Sequence, residues 1–139
     1  MDKFIWTDEY SVGIKSIDEQ HRHFFEIVNS IIDLAGKEDI SKDDLLASLG
    51  ELGDYALYHF GNEEGYFDKF GYEEAPQHIA EHNQYREKIK EYFNKVQGGG
   101  ADVKELAGEI SSYPGGWLVN HILLVDKKYT KFLKDHGVE

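Results

Sequence analysis

Leu45–Phe67 reads LLASLGELGDYALYHFGNEEGYF, and its apolar residues recur every three or four positions at Leu45, Leu49, Leu52, Ala56 and Phe67. That period describes one face of an α-helix rather than a strand. His59 and Glu63 continue the same stripe, four residues apart, so both side chains reach toward one point. A pair of this kind has two readings: a salt bridge on a solvated face, or two ligands aimed at one metal ion. The rest of the chain decides between them.

Around this stretch the pattern predicts a helix that begins near Ser41, where Ser41 and Asp44 resemble a capping box, and ends near Gly71. Upstream, Ile17, His21, Phe24, Val28 and Ile31 define a first helix over about Ser16–Ala35, with Gly36 as its stop. Downstream, a third helix opens at Ala75-Pro76 and carries His78, His82, Tyr85, Ile89, Tyr92 and Val96 inward, until Gly98-Gly99-Gly100 breaks it. A fourth segment covers about Ala101–Asp135, with Leu118, His121, Ile122, Val125, Tyr129 and Phe132 inward. Pro114-Gly115-Gly116 predicts a break or kink before Trp117. Four amphipathic helices with short connections imply an all-α fold, an up-down-up-down four-helix bundle. Residues 1–15, with Phe4, Ile5, Trp6, Tyr10 and Val12, are expected to form an ordered N-terminal arm across a bundle of residues 16–135, all within one domain of residues 1–139.

Composition narrows the function. With 139 residues and 40% hydrophobic content, the chain suits one domain with a proper core. Lysine plus arginine number 15 against 27 acidic residues, a net charge of -12, which opposes both nucleic acid and anionic membrane surfaces as partners. The absence of cysteine removes disulfides, zinc–thiolate sites and cysteine nucleophiles. The start, MDKFIWTDEY, lacks the apolar centre of a secretory signal, and the expected location is the cytoplasm.

Seven histidines are present, and five of them, His21, His59, His78, His82 and His121, fall on the inward stripes of all four helices. His23 and His136 do not, and solvent exposure is expected for both. His78 and His82 repeat the four-residue spacing of His59 and Glu63. His121 and Asp126 are less tidy: five residues place them about 140° apart on an ideal helix, so Asp126 must reach round or the helix must widen. His21 stands alone, and a lone histidine on an apolar stripe is commonly a hydrogen-bonded core residue. Taken together, five imidazoles and two carboxylates in a core cost several kcal/mol each without strong partners, and a metal centre offsets that cost. Glu64, Glu19 and Asp18 are read as solvated or outer groups, with Asp18 able to orient a ligand histidine.

The donor set narrows the metal. It is too large for one tetrahedral zinc and too rich in nitrogen for calcium or magnesium. Two transition ions fit, with iron the natural candidate. Two octahedral ions offer about twelve positions, and five histidines, two bridging carboxylates and one bridging oxygen fill all but one. A single vacancy on a redox-active pair invites a small ligand such as dioxygen.

These residues closely resemble the hemerythrin family, above all its single-domain bacterial members. The resemblance runs through Trp6, Val12-Gly13-Ile14, Ile17-Asp18-Glu19-Gln20-His21, His59-Phe60-Gly61-Asn62-Glu63-Glu64, His78-Ile79-Ala80-Glu81-His82, Trp117-Leu118-Val119-Asn120-His121-Ile122 and Asp126. It implies a two-iron centre with a bridging oxo or hydroxo group, one iron held by His78, His82 and His121, the other by His21 and His59, and Glu63 and Asp126 bridging. It implies reversible dioxygen binding for storage, transport or delivery. No extra acid–base group has a clear catalytic position, so an enzyme is not expected; a monomer is favoured, with an oxygen-requiring enzyme as a candidate recipient. An oxygen sensor, or a di-iron enzyme acting on peroxide or nitric oxide, is the alternative. The family's pocket corresponds to Phe24, Phe60, Tyr85, Trp117, Leu118, Ile122 and Tyr129. Two departures stand out: the broken approach to Trp117, and the hydroxyl of Tyr85 where an apolar ring is common.

Overall fold

The computed structural model describes residues 3–100 and 102–139. Four long helices dominate: α1 Lys15–Ala35, α2 Lys42–Phe70, α3 Ala75–Gly98 and α4 Val103–Leu124. A 3₁₀ turn over Asp126–Tyr129 and a short α5, Thr130–Asp135, follow. No strand occurs among the described residues. Each long helix packs on its neighbours in sequence, and α1 closes the ring against α4. Cross-helix pairs run in opposite directions, as in His82 with His121 and Tyr92 with Tyr113, which makes α3 and α4 antiparallel.

Local chemistry sets most of the boundaries. The Ser41 hydroxyl accepts from the Asp44 N–H at 3.0 Å and starts α2. Gly71 ends α2 at φ 71°, a left-handed position that glycine adopts without steric cost. Pro76 sits in the first turn of α3. The Lys104 ammonium donates to the carbonyls of Ala35 (2.8 Å) and Lys37 (2.5 Å), placing a cation at the C-terminus of α1.

The expected break before Trp117 is absent. α4 runs through Pro114 to Leu124 without interruption. Proline forfeits one backbone hydrogen bond there, but Ile110, Ser111, Pro114, Gly115 and Leu118 are all buried, and tertiary packing overrides local propensity. Gly115 has a specific use: a Cβ at this position would lie 2.1 Å from Cε2 of Phe4. The glycine makes room for the ring that pins the N-terminal segment. Ala101, where the fourth segment was expected to begin, lies outside the described residues, as do Met1 and Asp2.

The segment before α1 is tied down at several points. The Phe4 N–H donates to Asn29 Oδ1, and Asn29 Nδ2 donates back to the Phe4 carbonyl, both at 2.8 Å. Trp6 and Tyr10 pack edge-on against Phe25, with ring centroids 5.4 and 5.2 Å away. Thr130 Oγ1 donates to the Val12 carbonyl at 2.6 Å, linking this segment to α5. Asp18 accepts from Ser11 Oγ (2.5 Å) and the Val12 N–H (2.8 Å). Its carboxylate therefore holds the entry to α1 rather than orienting a histidine.

The inward stripes of α1, α2 and α3 are buried as the periodicity predicts. The end of the chain departs from it. Val125 and Phe132 are only half-buried, while Leu133 is fully buried. The fourth segment is not one helix: the tighter 3₁₀ turn resets the register before α5 resumes, so a continuous 3.6-residue period assigns the wrong residues.

Replacing Gly115 by alanine is expected to lower stability by about 1–3 kcal/mol through overpacking against Phe4. Adding Phe4→Ala should recover much of that loss. Urea unfolding of the single and double variants checks it, and an unchanged midpoint in G115A would show that this contact does not matter.

Candidate metal centre

Seven polar side chains meet in the middle of the bundle. His21 comes from α1, His59 and Glu63 from α2, His78 and His82 from α3, His121 from α4, and Asp126 from the first position of the 3₁₀ turn. All are buried, none more than 2% exposed. The awkward spacing of His121 and Asp126 is resolved by tightening rather than widening. α4 ends at Leu124, Val125 adopts φ -119° and ψ -54°, and the 3₁₀ turn brings Asp126 back over the site.

The donor atoms form two overlapping groups. Glu63, His78, His82, His121 and Asp126 make one, and His21, His59, Glu63 and Asp126 make the other. Within the first, Nε2 of His121 lies 3.1 Å from Nε2 of His78 and 3.2 Å from Nε2 of His82. Asp126 Oδ1 lies 2.9 Å from both His78 and His121, while its Oδ2 lies 3.1 Å from His21. Asp126 thus turns one oxygen to each group. Glu63 Oε1 stands between them, 3.4 Å from His59 and 3.3 Å from His82. Its other oxygen accepts a short hydrogen bond from the Tyr129 hydroxyl.

These separations carry a chemical message. Ligands about 2.1 Å from one ion, at right angles, stand about 3.0 Å apart. The Nδ1 atoms of His82 and His121 face Glu64 at 2.7 Å and Glu81 at 3.3 Å. A neutral imidazole that donates from Nδ1 presents a lone pair at Nε2, and lone pairs facing one another at 3.1–3.2 Å repel unless a cation or proton lies among them. Both nitrogens of His21, both oxygens of Asp126 and Oε1 of Glu63 are buried without a hydrogen-bond partner, despite their close approaches. The distances suit shared coordination and the directions do not suit hydrogen bonds. The residues present therefore fit a metal.

Electrostatics without a metal points the same way. Burial pushes the Asp126 carboxyl up, but His121 above all, with His21 and His78, holds it well below the usual carboxylate range. Burial and Asp126 likewise push Glu63 up, and His59 and His82 outweigh them to hold it at about 2. Burial alone would strip His121 of its proton, yet Asp126 and Glu63 raise it to about 9. His59, dominated by burial, falls to about 4. Protons on some histidines thus neutralise the buried carboxylates, a role that a metal takes over when it binds.

Outer contacts orient four of the seven groups. Gln20 Oε1 accepts from His59 Nδ1 at 2.7 Å, Glu64 from His82, Glu81 from His121, and Tyr129 donates to Glu63. Arg86 holds Glu64 in turn through two contacts, at 2.9 and 3.3 Å. Sequence reading gave Glu64 an outer place but missed Gln20 and Glu81. Each stands immediately before a stripe histidine, which is the only signal the sequence offers. His23 and His136 lie at the surface, as expected.

An aromatic layer encloses the donors. Phe60 stacks on His82 (3.9 Å, 8°), Trp117 on His121 (4.4 Å, 12°), and Tyr129 lies nearly parallel to His78 (5.6 Å, 14°). Phe24 meets His59 edge-on at 5.9 Å. Phe24, Phe60, Tyr85, Leu118, Ile122 and Tyr129 are buried, and Trp117 is half-buried.

A helical bundle with a buried histidine–carboxylate cluster and no thiolate is a fold and donor set that fit a non-haem iron site. Comparison with known proteins gives the class a family. Residues 12–133 match the family described as "Hemerythrin HHE cation binding domain". A bacteriohemerythrin of Clostridium acetobutylicum is 34% identical over 128 residues, covering 91% of this chain and 98% of that protein. One from Methylococcus capsulatus is 32% identical over 125 residues, covering 89% and 92%. A wild-type hemerythrin crystal structure superposes with a TM-score of 0.83 at 30% identity, over 94% of this chain and 97% of that one. The chain belongs to the hemerythrin family.

Two outcomes test the site. Removing an outer acceptor, by Glu64→Ala or Gln20→Ala, should weaken metal affinity about 10- to 100-fold, measured by competition with a chelator. Because His121 is held at about 9, it carries a proton at pH 7 that ligation must displace. Metal uptake should therefore release protons into weakly buffered solution, and affinity should fall as pH drops below about 9. Uptake without proton release would contradict this charge assignment.

Proposed function

We propose that His21, His59, Glu63, His78, His82, His121 and Asp126 hold two iron ions with a bridging oxo or hydroxo group, and that the centre binds dioxygen reversibly for storage, transport or delivery. The observation that carries this reading is the unequal sharing of donors. Both groups use Glu63 and Asp126, but one adds three histidines and the other two. His21 and His59, with fewer side-chain donors beside them, would leave room at their ion for an added ligand. Family membership and the nitrogen-rich donor set support iron.

Bound iron supplies the reversible electron donation that dioxygen binding requires. The protein's part is to hold, orient and shield. Glu63 and Asp126 neutralise charge between the two groups. Gln20, Glu64 and Glu81 fix three imidazole rings, so that Nε2 faces inward. Tyr129 holds the outer oxygen of Glu63. Phe24, Phe60, Tyr85, Trp117, Leu118, Ile122 and Tyr129 form the proposed oxygen pocket. Its mostly hydrocarbon and aromatic walls keep water and protons from the centre, which suits holding a small apolar gas and offers little acid–base chemistry. No helix among the described residues is long and apolar enough to cross a membrane.

Anaerobic loading with ferrous iron should give two ions per chain. Exposure to dioxygen should produce a ligand-to-metal absorption band that fades under argon and returns over repeated cycles. One iron per chain, irreversible bleaching, or sustained oxygen or peroxide consumption would overturn carriage. Replacing His82 by alanine should lower iron content or abolish the band.

A further inference from the structure

Two carboxylates stand behind histidines of the three-histidine group, and only one of them carries a countercharge. Glu64 Oε2 accepts from His82 Nδ1 at 2.7 Å and from Nη1 of Arg86 at 2.9 Å, while Nη2 of Arg86 reaches Oε1 at 3.3 Å. One oxygen thus serves an imidazole and a guanidinium together. Glu81, behind His121, pairs with no lysine or arginine among the described residues. Its side chain is 39% exposed against 23% for Glu64, so water screens Glu81 and Arg86 stands in for water at Glu64. Arg86 is fixed from three sides. It lies four residues, one turn, beyond His82 on α3. Its Nη1 also donates to Asn83 Oδ1 at 2.9 Å, and its guanidinium carbon stands 5.3 Å from the centroid of the Phe60 ring that stacks on His82. The planar fork holds both carboxylate oxygens in register.

Charge on the acceptor behind a ligand histidine is felt at the metal. A carboxylate drawing on the Nδ1 proton makes the imidazole a stronger electron donor at Nε2, which favours ferric over ferrous iron. A cation on the same carboxylate opposes that pull, and buried charges are weakly screened. The pair of Glu64 and Arg86 therefore keeps the hydrogen bond that orients His82 while bringing no net charge to it. We propose that Arg86 raises the reduction potential of the centre through Glu64, holding the carboxylate on His82 and cancelling its charge, and so favours the ferrous state that dioxygen binding requires. One electron separates the two states at this half, exchanged with an outside donor, and Arg86 keeps its proton throughout. The inference rests on the two-iron reading above.

The test is a mediated electrochemical titration of the iron-loaded protein, with iron content and thermal midpoint measured alongside. Arg86→Met keeps the apolar stem and leaves Glu64 uncompensated, so the potential should fall. Glu64→Gln keeps an acceptor for His82 and leaves Arg86 uncompensated, so the potential should rise. Both changes break the same ion pair, and a purely structural role would move the two variants alike. Arg86→Lys keeps the charge and should stay closer to wild type than R86M, and the double variant R86M/E64Q should return toward wild type. Unmoved potentials, or shifts of the same sign in R86M and E64Q, would overturn the proposal while leaving the two-iron reading intact. Should R86M lose its iron, E64Q decides alone: a potential at or below that of the wild type overturns the proposal. One iron per chain, or none, in the wild-type protein would remove both.

Discussion

Everything in this bundle is arranged around buried imidazoles and carboxylates that need a shared positive charge among them, supplied by protons on the histidines or by a metal. Five imidazoles and two carboxylates are packed where apolar side chains would be cheaper. Their mutual distances, 2.9 to 3.4 Å, are too short for indifferent neighbours, and many of their directions fail as hydrogen bonds. A core of this kind is a poor contributor to the fold while metal-free and a strong one when filled, since binding energy then becomes folding energy. The surrounding structure is accordingly over-determined. Helices on four sides, outer acceptors and stacked rings keep the donors from collapsing onto separate partners.

The two halves of the site are supported differently. Carboxylates stand behind His82 and His121, and a neutral amide stands behind His59. His21 has no partner at Nδ1, and Trp6 of the N-terminal segment lies against it at 6.4 Å. The three-histidine half is thereby the more negatively buttressed, and the half proposed to take the ligand is the less constrained. The N-terminal segment matters for that second half. Phe4 reaches α4 through the space left at Gly115, Trp6 covers His21, and Val12 is tied to Thr130.

Much of this was legible in the sequence, and the gaps have physical causes. Residue spacing within one helix is a local property, so the stripes of α1 to α3 and the His59/Glu63 and His78/His82 pairs follow from periodicity alone. His21 and the His121/Asp126 pair did not, because the first depends on which helices adjoin and the second on a change of helix type at Val125. Pro114 does not end the helix for the same reason: a local helix breaker is outvoted by burial on the bundle side and by the seat that Gly115 provides for Phe4. Gln20 and Glu81 were invisible because their role is to reach across to another helix. Asp18, an outer group by its spacing and able to orient a histidine, instead holds Ser11 and Val12, which lie just before it in the chain.

We propose that these seven side chains converge on two iron ions rather than one. Anomalous diffraction at the iron edge, from crystals of the iron-loaded protein, tests it most directly. Two iron peaks are expected in the bundle core, one among His78, His82 and His121 and one beside His21 and His59, with Glu63 and Asp126 touching both. A single peak, or iron bound away from these residues, would contradict it.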